Sequence, residues 1–125
     1  KMNSFRDKRE SICTEYENAF KDNVNISFPI KLENSIHARH LFTIWVDPDK
    51  RDQIMHVMQK AELGVAVNFR AIHLLSYYRN IFGYKMGLFP NAELIGNSTI
   101  TIPMYVKLTK EEQSYIINII NQIII

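Results

Sequence analysis

The 125-residue sequence predicts an α+β fold, or a split α/β layer, in which helices pack on one side of a small sheet. Three observations carry this reading. A chain of this length encloses one hydrophobic core, so residues 1–125 are expected to form a single domain. The first and last stretches repeat apolar residues at helical spacing, and short runs of β-branched and aromatic residues alternate with helical patterns between them. The order read along the chain is helix, strand, helix, strand, irregular loop, strand, helix, with no internal repeat or low-complexity tract.

The first helix is expected from Ser4 as N-cap, with Asp7 three residues on. Phe5, Ile12, Tyr16 and Ala19 or Phe20 form its buried stripe, and Arg6, Lys8, Arg9 and Glu17 its solvated face. Asp22 to Asn25 break it, and Pro29 and Asn34 keep the next segment irregular or briefly extended. Leu41 to Val46 is too short for a stable helix and rich in residues that suit a pleated surface, so it reads as a buried strand. The turn Asp47-Pro48-Asp49 starts a second helix, with Asp52 also in the first turn. Ile54, Val57, Met58 and Ala61 share one face, and Gly64 is placed for a C-terminal stop.

Val65 to Phe69 reads as a second strand, running into a short helical or irregular piece that carries His73, Tyr77, Tyr78 and Arg79. Gly83, Gly87 and Pro90 punctuate a loop, with one helical turn expected over 91–95. Ser98 to Ile102 alternates polar and β-branched residues as a third strand, ended by Pro103. Thr109 and Glu112 form a capping box for the last helix, which buries some of Ile116, Ile119, Ile120 and Ile123.

Composition narrows the function classes. The 15 basic and 13 acidic side chains are interspersed and leave a net charge of +2, so no concentrated positive field invites nucleic acid. Cys13 has no cysteine partner and no leader pattern opens the chain, which sets a reducing cytoplasm as the expectation. The C-terminal stretch from Tyr115 to Ile125 is interrupted by Asn118, Asn121 and Gln122. It falls short of the roughly 20 apolar residues a membrane span requires, so a packing helix is expected and no membrane partner.

Few residues carry self-contained chemistry. His37 and His40 stand three apart, a spacing that serves a metal only on a helix, and here they precede a strand; His56 and His73 have no cysteine or carboxylate cluster around them. No native metal site is expected. Cys13 lies near the buried face of the first helix and reads as a small apolar side chain. Neither a nucleophile elbow, nor a dinucleotide-binding glycine turn, nor a P-loop lysine motif occurs.

The run from Asn68 through Phe69, Arg70, Ala71, Ile72 and His73 to Tyr77, Tyr78 and Arg79 is different. It gathers an amide, guanidinium groups, an imidazole and two phenols within a dozen residues after a strand. Arginine forks onto phosphate or carboxylate, imidazole and phenol bond sugar hydroxyls, and an aromatic ring stacks on a sugar or base. On composition alone, a surface loop with two half-buried tyrosines remains the more economical reading.

The segment Asn68-Phe69-Arg70-Ala71-Ile72-His73, followed by Tyr77-Tyr78-Arg79, resembles the C-terminal domain of DegT-type nucleotide-sugar aminotransferases. The branch acting on 4-keto sugars, such as the 4-amino-4-deoxyarabinose enzyme, is the most similar. The likeness extends along the chain in order: the helix from Phe5 to Tyr16, His37-Ala-Arg-His40-Leu-Phe, Arg51-Asp52, Ile102-Pro103-Met104-Tyr105, and Leu108-Thr109-Lys110-Glu111-Glu112-Gln113.

The resemblance implies the small C-terminal domain of the aspartate-aminotransferase fold, type I among pyridoxal-phosphate enzymes, closing over substrate beside a large domain. It implies pyridoxal 5'-phosphate in the full-length enzyme, with none bound to this chain alone, and amino transfer from glutamate to a keto nucleotide sugar for cell-surface polysaccharide or lipopolysaccharide. It also implies a homodimer at full length. The Schiff-base lysine belongs to the large domain, and Lys1, Lys8 and Lys60 lack its context, so this chain alone is expected to be inactive. Asn68, Phe69, Arg70 and His73 are implied nearest the substrate, with Tyr78 behind them. Many relatives carry His where Asn68 stands; an amide donates and accepts but takes up no proton, so hydrogen bonding to substrate is its expected role.

Two other readings compete. One is a free-standing α+β binding module without catalysis, from a truncated gene. The other is a ferredoxin-like nucleic-acid domain, which the missing aromatic signature and basic stripe oppose.

Overall fold

The computed structural model describes residues 2–125, and Lys1 lies outside the described residues. Helix α1 runs from Met2 to Phe20, strand β1 from Phe42 to Trp45, and helix α2 from Arg51 to Lys60. A 3-10 turn at Ile72–Leu74 precedes α3 (Ser76–Phe82) and α4 (Pro90–Ser98); β2 (Thr99–Ile102) and α5 (Lys110–Ile123) complete the chain. The order is that of an α+β fold, with a sheet smaller than the sequence implied.

β1 and β2 pair antiparallel with Phe42 opposite Ile102 and Ile44 opposite Ile100. These four residues share one face of the sheet, since side chains alternate along a strand. They join Ile12, Tyr16 and Phe20 of α1, Met58 of α2, and Ile116 and Ile120 of α5 in a single buried core. The Tyr16 ring sits 5.1 Å from that of Phe42 and 5.9 Å from that of Phe20. On the opposite face Thr43 pairs with Thr101 and Trp45 with Thr99, and this face receives the segment that follows α2.

The expected strand over 65–69 contributes one bridge. Ala66 and Thr101 exchange both backbone bonds, at 3.1 and 2.7 Å, and the chain bends at Asn68. Asn68 meets β2 through its side chain instead, donating from Nδ2 to Thr101 Oγ1 over 3.2 Å, so the ladder does not continue. At the other edge Ser27 bridges Trp45 in the same manner. Each edge of the two-stranded sheet thus has a partner for one residue.

Other departures have local causes. α1 is already helical at Met2, so Ser4 lies inside it rather than at its N-cap, and Phe5 is exposed because the core begins about two turns later, at Ile12. α2 ends at Lys60 without using Gly64: Glu62 takes the left-handed conformation at φ 61°, its N–H reaching Gln59 O and that of Leu63 reaching Met58 O. That pair of bonds is the Schellman closure, and buried Leu63 and Met58 supply its apolar contact. Pro90 opens α4 as its first residue, where a fixed φ and a missing N–H cost nothing, so the helix has nine residues in place of one turn.

The capping box of α5 forms as the sequence indicates, with Thr109 accepting from Glu112 N and the Glu112 side chain accepting from Thr109 N. Ile116 and Ile120 are buried, and Ile119 and Ile123 pack against the core half-buried. Cys13 is fully buried among them, and burial pushes its thiol up to about 11. Among the described residues no helix is long and apolar enough to cross a membrane.

Candidate functional site

The segment after α2 folds back across the sheet and then builds a cavity of about 630 Å³. Phe69, Arg70 and His73 form one side of it, and Tyr78 and Phe82 of α3 another. Tyr84, Phe89, Ala92 and Ile95 close it from the following loop and α4. Four of the five residues singled out from the sequence therefore line one space. Asn68 does not: it is half-buried below the cavity, with its amide on Thr101.

Two close approaches hold these elements together. Gly96 of α4 lies so near the start of the 3-10 turn that a Cβ there would stand 2.6 Å from Ala71 N. Only a residue without a side chain lets the two backbones meet. Glu93, three residues earlier on the same helix, reaches into the preceding loop. Its carboxylate accepts from Gly87 N at 2.8 and 3.0 Å, from Phe89 N at 3.3 Å, and lies 2.9 Å from His73 Nε2. Gly87 sits at φ 89°, a conformation that aims its N–H at that carboxylate and suits glycine.

His73 is accordingly buried, at 6% exposure, and already partnered. Phe69 is the reverse, 71% exposed at the rim, and Arg70 is exposed beside it. Arg70 makes no ion pair among the described residues, so its guanidinium remains free for an anionic or carbonyl group of a ligand. Tyr78 is half-buried. The donors facing the cavity are thus one guanidinium and phenols set in an apolar frame, as in sites that orient a small molecule with a few polar groups.

The frame is a continuous run of rings. Tyr77 meets Tyr78 edge-on at 5.4 Å, Tyr78 stacks with Phe82 at 6.2 Å, and Phe82 stacks with Tyr84 at 5.4 Å. Tyr84 then meets Phe89 at 6.0 Å, and Phe89 presents to the His73 ring at 4.9 Å. Sequence reasoning reached Tyr77 and Tyr78 and missed Phe82, Tyr84, Phe89 and Glu93. The four-residue spacing of Tyr78 and Phe82 on a helix was a visible signal. Glu93, an acid in the first turn after a proline, was a weaker one.

The histidines distant from the cavity serve locally. His37 Nδ1 accepts from Arg39 N over 2.9 Å. Arg39, 5% exposed, bonds Glu10 at 2.9 Å and Glu17 at 2.8 Å and so ties the irregular stretch before β1 to α1. Glu17, expected on the solvated face, is one of its anchors. No group of three or more potential metal-ligating side chains occurs among the described residues.

Residues 1–121 match the model of the DegT/DnrJ/EryC1/StrS aminotransferase family. The chain is 30% identical, over 99% of its length, to an uncharacterised protein of Methanocaldococcus jannaschii, covering 33% of that protein. It is 26% identical to the spore coat polysaccharide biosynthesis protein SpsC of Bacillus subtilis, again over 99% of this chain and 33% of the relative. Among solved structures it is similar to Spr1654 of Streptococcus pneumoniae, assigned as a sugar aminotransferase, with 28% identity and a TM-score of 0.89 over 98% of this chain and 31% of that one. That protein has also been solved in pyridoxal-phosphate and pyridoxamine-phosphate forms. The chain spans about a third of the length of the relatives it matches.

Proposed function

Because the chain belongs to the DegT/DnrJ/EryC1/StrS aminotransferase family, we propose that it is the small C-terminal domain of a pyridoxal-phosphate-dependent sugar aminotransferase. Its cavity wall contacts a keto nucleotide sugar. The convergence of Phe69, Arg70, His73 and Tyr78 on one cavity carries the reading. These residues lie close in sequence but on different elements, and three rings that sequence reasoning missed join them there.

The chemistry follows from the donor set. Arg70 supplies a permanent cation in a planar fork, suited to a phosphate or a carbonyl oxygen. Tyr78 and Tyr84 supply phenolic donors for sugar hydroxyls, and the exposed face of Phe69 offers a surface for a sugar ring or base. Asn68, one layer below, holds the segment to β2 and so fixes where Arg70 begins.

The residues here do not fit the cofactor as its covalent holder. No lysine lines the cavity; its basic side chains are a guanidinium, which does not lose its proton, and the His73 imidazole, which has no primary amine to form a Schiff base. No step through pyridoxal phosphate is assigned to this chain. In the reading proposed, the cofactor and its lysine belong to a large domain, this chain closes the sugar side, and the chain alone is inactive. Glutamate as amino donor, a homodimeric assembly, a cytoplasmic setting and a role in cell-surface polysaccharide or lipopolysaccharide synthesis complete the proposal; the SpsC relative supports the polysaccharide part.

The test is steady-state kinetics of Arg70→Ala in the full polypeptide that carries these residues, with glutamate and a UDP-linked 4-keto sugar. The expected result is a rise in KM for the keto sugar of about tenfold or more, equivalent to ~1.4 kcal/mol of lost contact, with the glutamate half-reaction unchanged. An unaltered KM for the sugar would refute the assignment.

A further inference from the structure

The cavity owes its shape to a residue that does not line it. Glu93 stands in the first turn of α4, and its carboxylate collects donors from two separate elements: Gly87 and Phe89 N–H from the loop before α4, and the His73 ring from the 3-10 turn. Two walls of the cavity therefore meet on one negative charge. We propose that Glu93 is a positioning residue for sugar binding, holding Phe89 and His73 in place so that the cavity exists before the ligand arrives. This rests on reading the cavity as the sugar side of an aminotransferase site.

The hydrogen-bond inventory supports more than a helix-capping role. An ionised carboxylate only accepts, so the proton of the His73 imidazole must sit on Nε2, which leaves Nδ1 as an acceptor when the ring is neutral. The Gly87 N–H, together with the other donors, holds the Glu93 carboxyl below the usual carboxylate range, so it remains ionised near neutral pH. Glutamine at this position has one carbonyl oxygen and two N–H donors. All three donors meet Oε1, and Gly87 N also lies 3.0 Å from Oε2. A glutamine with its oxygen in the Oε1 place therefore sets its NH2 against the Gly87 N–H, and the flipped amide sets it against all three donors. In either orientation the negative charge they share is lost. The donor-to-donor clash loosens the loop at Gly87, and the neutral amide weakens the hold on the Phe89 N–H and the His73 ring, so the 4.9 Å edge contact between Phe89 and His73 is no longer fixed.

This assigns His73 a role different from direct contact with a reacting group. Buried and bonded to Glu93, it presents a ring of fixed orientation and fixed tautomer to the cavity. A preorganised wall reduces the ordering cost of ligand binding, so its loss raises KM before it lowers kcat.

The experiment uses the full polypeptide labelled with 15N-histidine, as wild type, Glu93→Gln and Glu93→Asp. The His73 imidazole is expected as the Nε2–H tautomer in the wild type. In Glu93→Gln its resonances move and the cross-relaxation between the His73 and Phe89 rings disappears, while Glu93→Asp, which keeps the charge, largely restores both. KM for the UDP-linked 4-keto sugar rises about tenfold in Glu93→Gln, with kcat within about threefold of wild type. A wild-type Nδ1–H tautomer, or His73 resonances unaltered in Glu93→Gln, would overturn the clamp, and the wild-type tautomer and Glu93→Asp decide the matter if Glu93→Gln fails to fold. Altered His73 resonances with an unchanged sugar KM would instead overturn the sugar-site role of the cavity. An unchanged KM in Arg70→Ala, whose His73 resonances stay in place, identifies that failure separately.

Discussion

The hydroxyl of Tyr16 donates to the backbone carbonyl of Pro103 over 2.8 Å, joining the middle of α1 to the residue that ends β2. The ring is fully buried, and burial raises the phenol above its usual range, which favours the protonated hydroxyl that donates this bond. Proline cannot extend the strand ladder, and its carbonyl finds this side chain instead. Tyr16→Phe keeps the packing and leaves the carbonyl short of a partner. A loss of about 1–2 kcal/mol in unfolding free energy is expected, read from the urea midpoint at unchanged slope.

The buried guanidinium of Arg39 makes a second long-range tie, to Glu10 at 29 residues' separation. Its hydrogen bond pulls the Glu10 carboxyl down to about 2, with Lys31 assisting. Because the folded value is depressed, the stabilisation is fully present above the unfolded value near 4.5 and is lost as the pH falls through about 2. Glu10 is partly exposed and screened, so the contribution is about 1 kcal/mol. Unfolding free energy should decline between pH 5 and 2 by about that amount more in the wild type than in Glu10→Gln. Parallel pH profiles for the two proteins would dispose of the effect.

How far the sequence disclosed this fold depends on whether each signal was local. The capping box of Thr109 and Glu112, the strand around Ile44 and the helix break at Asn23 lie within a few residues of the groups they satisfy, and they were legible. The strand expected over 65–69 was not, because a β-branched run does not say whether its backbone or its Asn68 side chain will meet Thr101. Pro90 read as loop punctuation because a proline that ends one segment and one that opens a helix look alike in sequence. At the site, the residues close in sequence were found. Phe89 and Glu93 were missed because their meaning depends on His73, sixteen and twenty residues earlier.

Glu62 offers a gain in stability. Its φ of 61° places a β-carbon against the following carbonyl, at a cost of roughly 1–2 kcal/mol for an L-residue, and its charge sits at the negative end of the α2 dipole. Glycine removes both penalties and gives up some backbone entropy in return. Glu62→Gly is expected to raise unfolding free energy by about 1 kcal/mol, and Glu62→Gln, which removes the charge alone, by less. Equal gains from the two variants would show that the conformation carries no cost.

Gly96 links fold to site, and its substitution tests that link. A Cβ placed there meets Ala71 N at 2.6 Å and the Arg70 backbone at 3.3 Å, both main-chain atoms rather than the flexible end of a side chain. Helix propensity alone would make alanine stabilising by about 1 kcal/mol, so the sign of the effect decides which term dominates. Overpacking against backbone should win, with a net loss of about 1–3 kcal/mol. The strain falls on Arg70 and Ala71, so Gly96→Ala should also weaken sugar binding in the full polypeptide by displacing the cavity wall at its root. The surface control Asn97→Ala, one residue on along α4 and exposed, should leave both measurements near wild type. A stabilised Gly96→Ala would mean that α4 and the 3-10 turn slide past each other freely, and the cavity would then have no fixed floor.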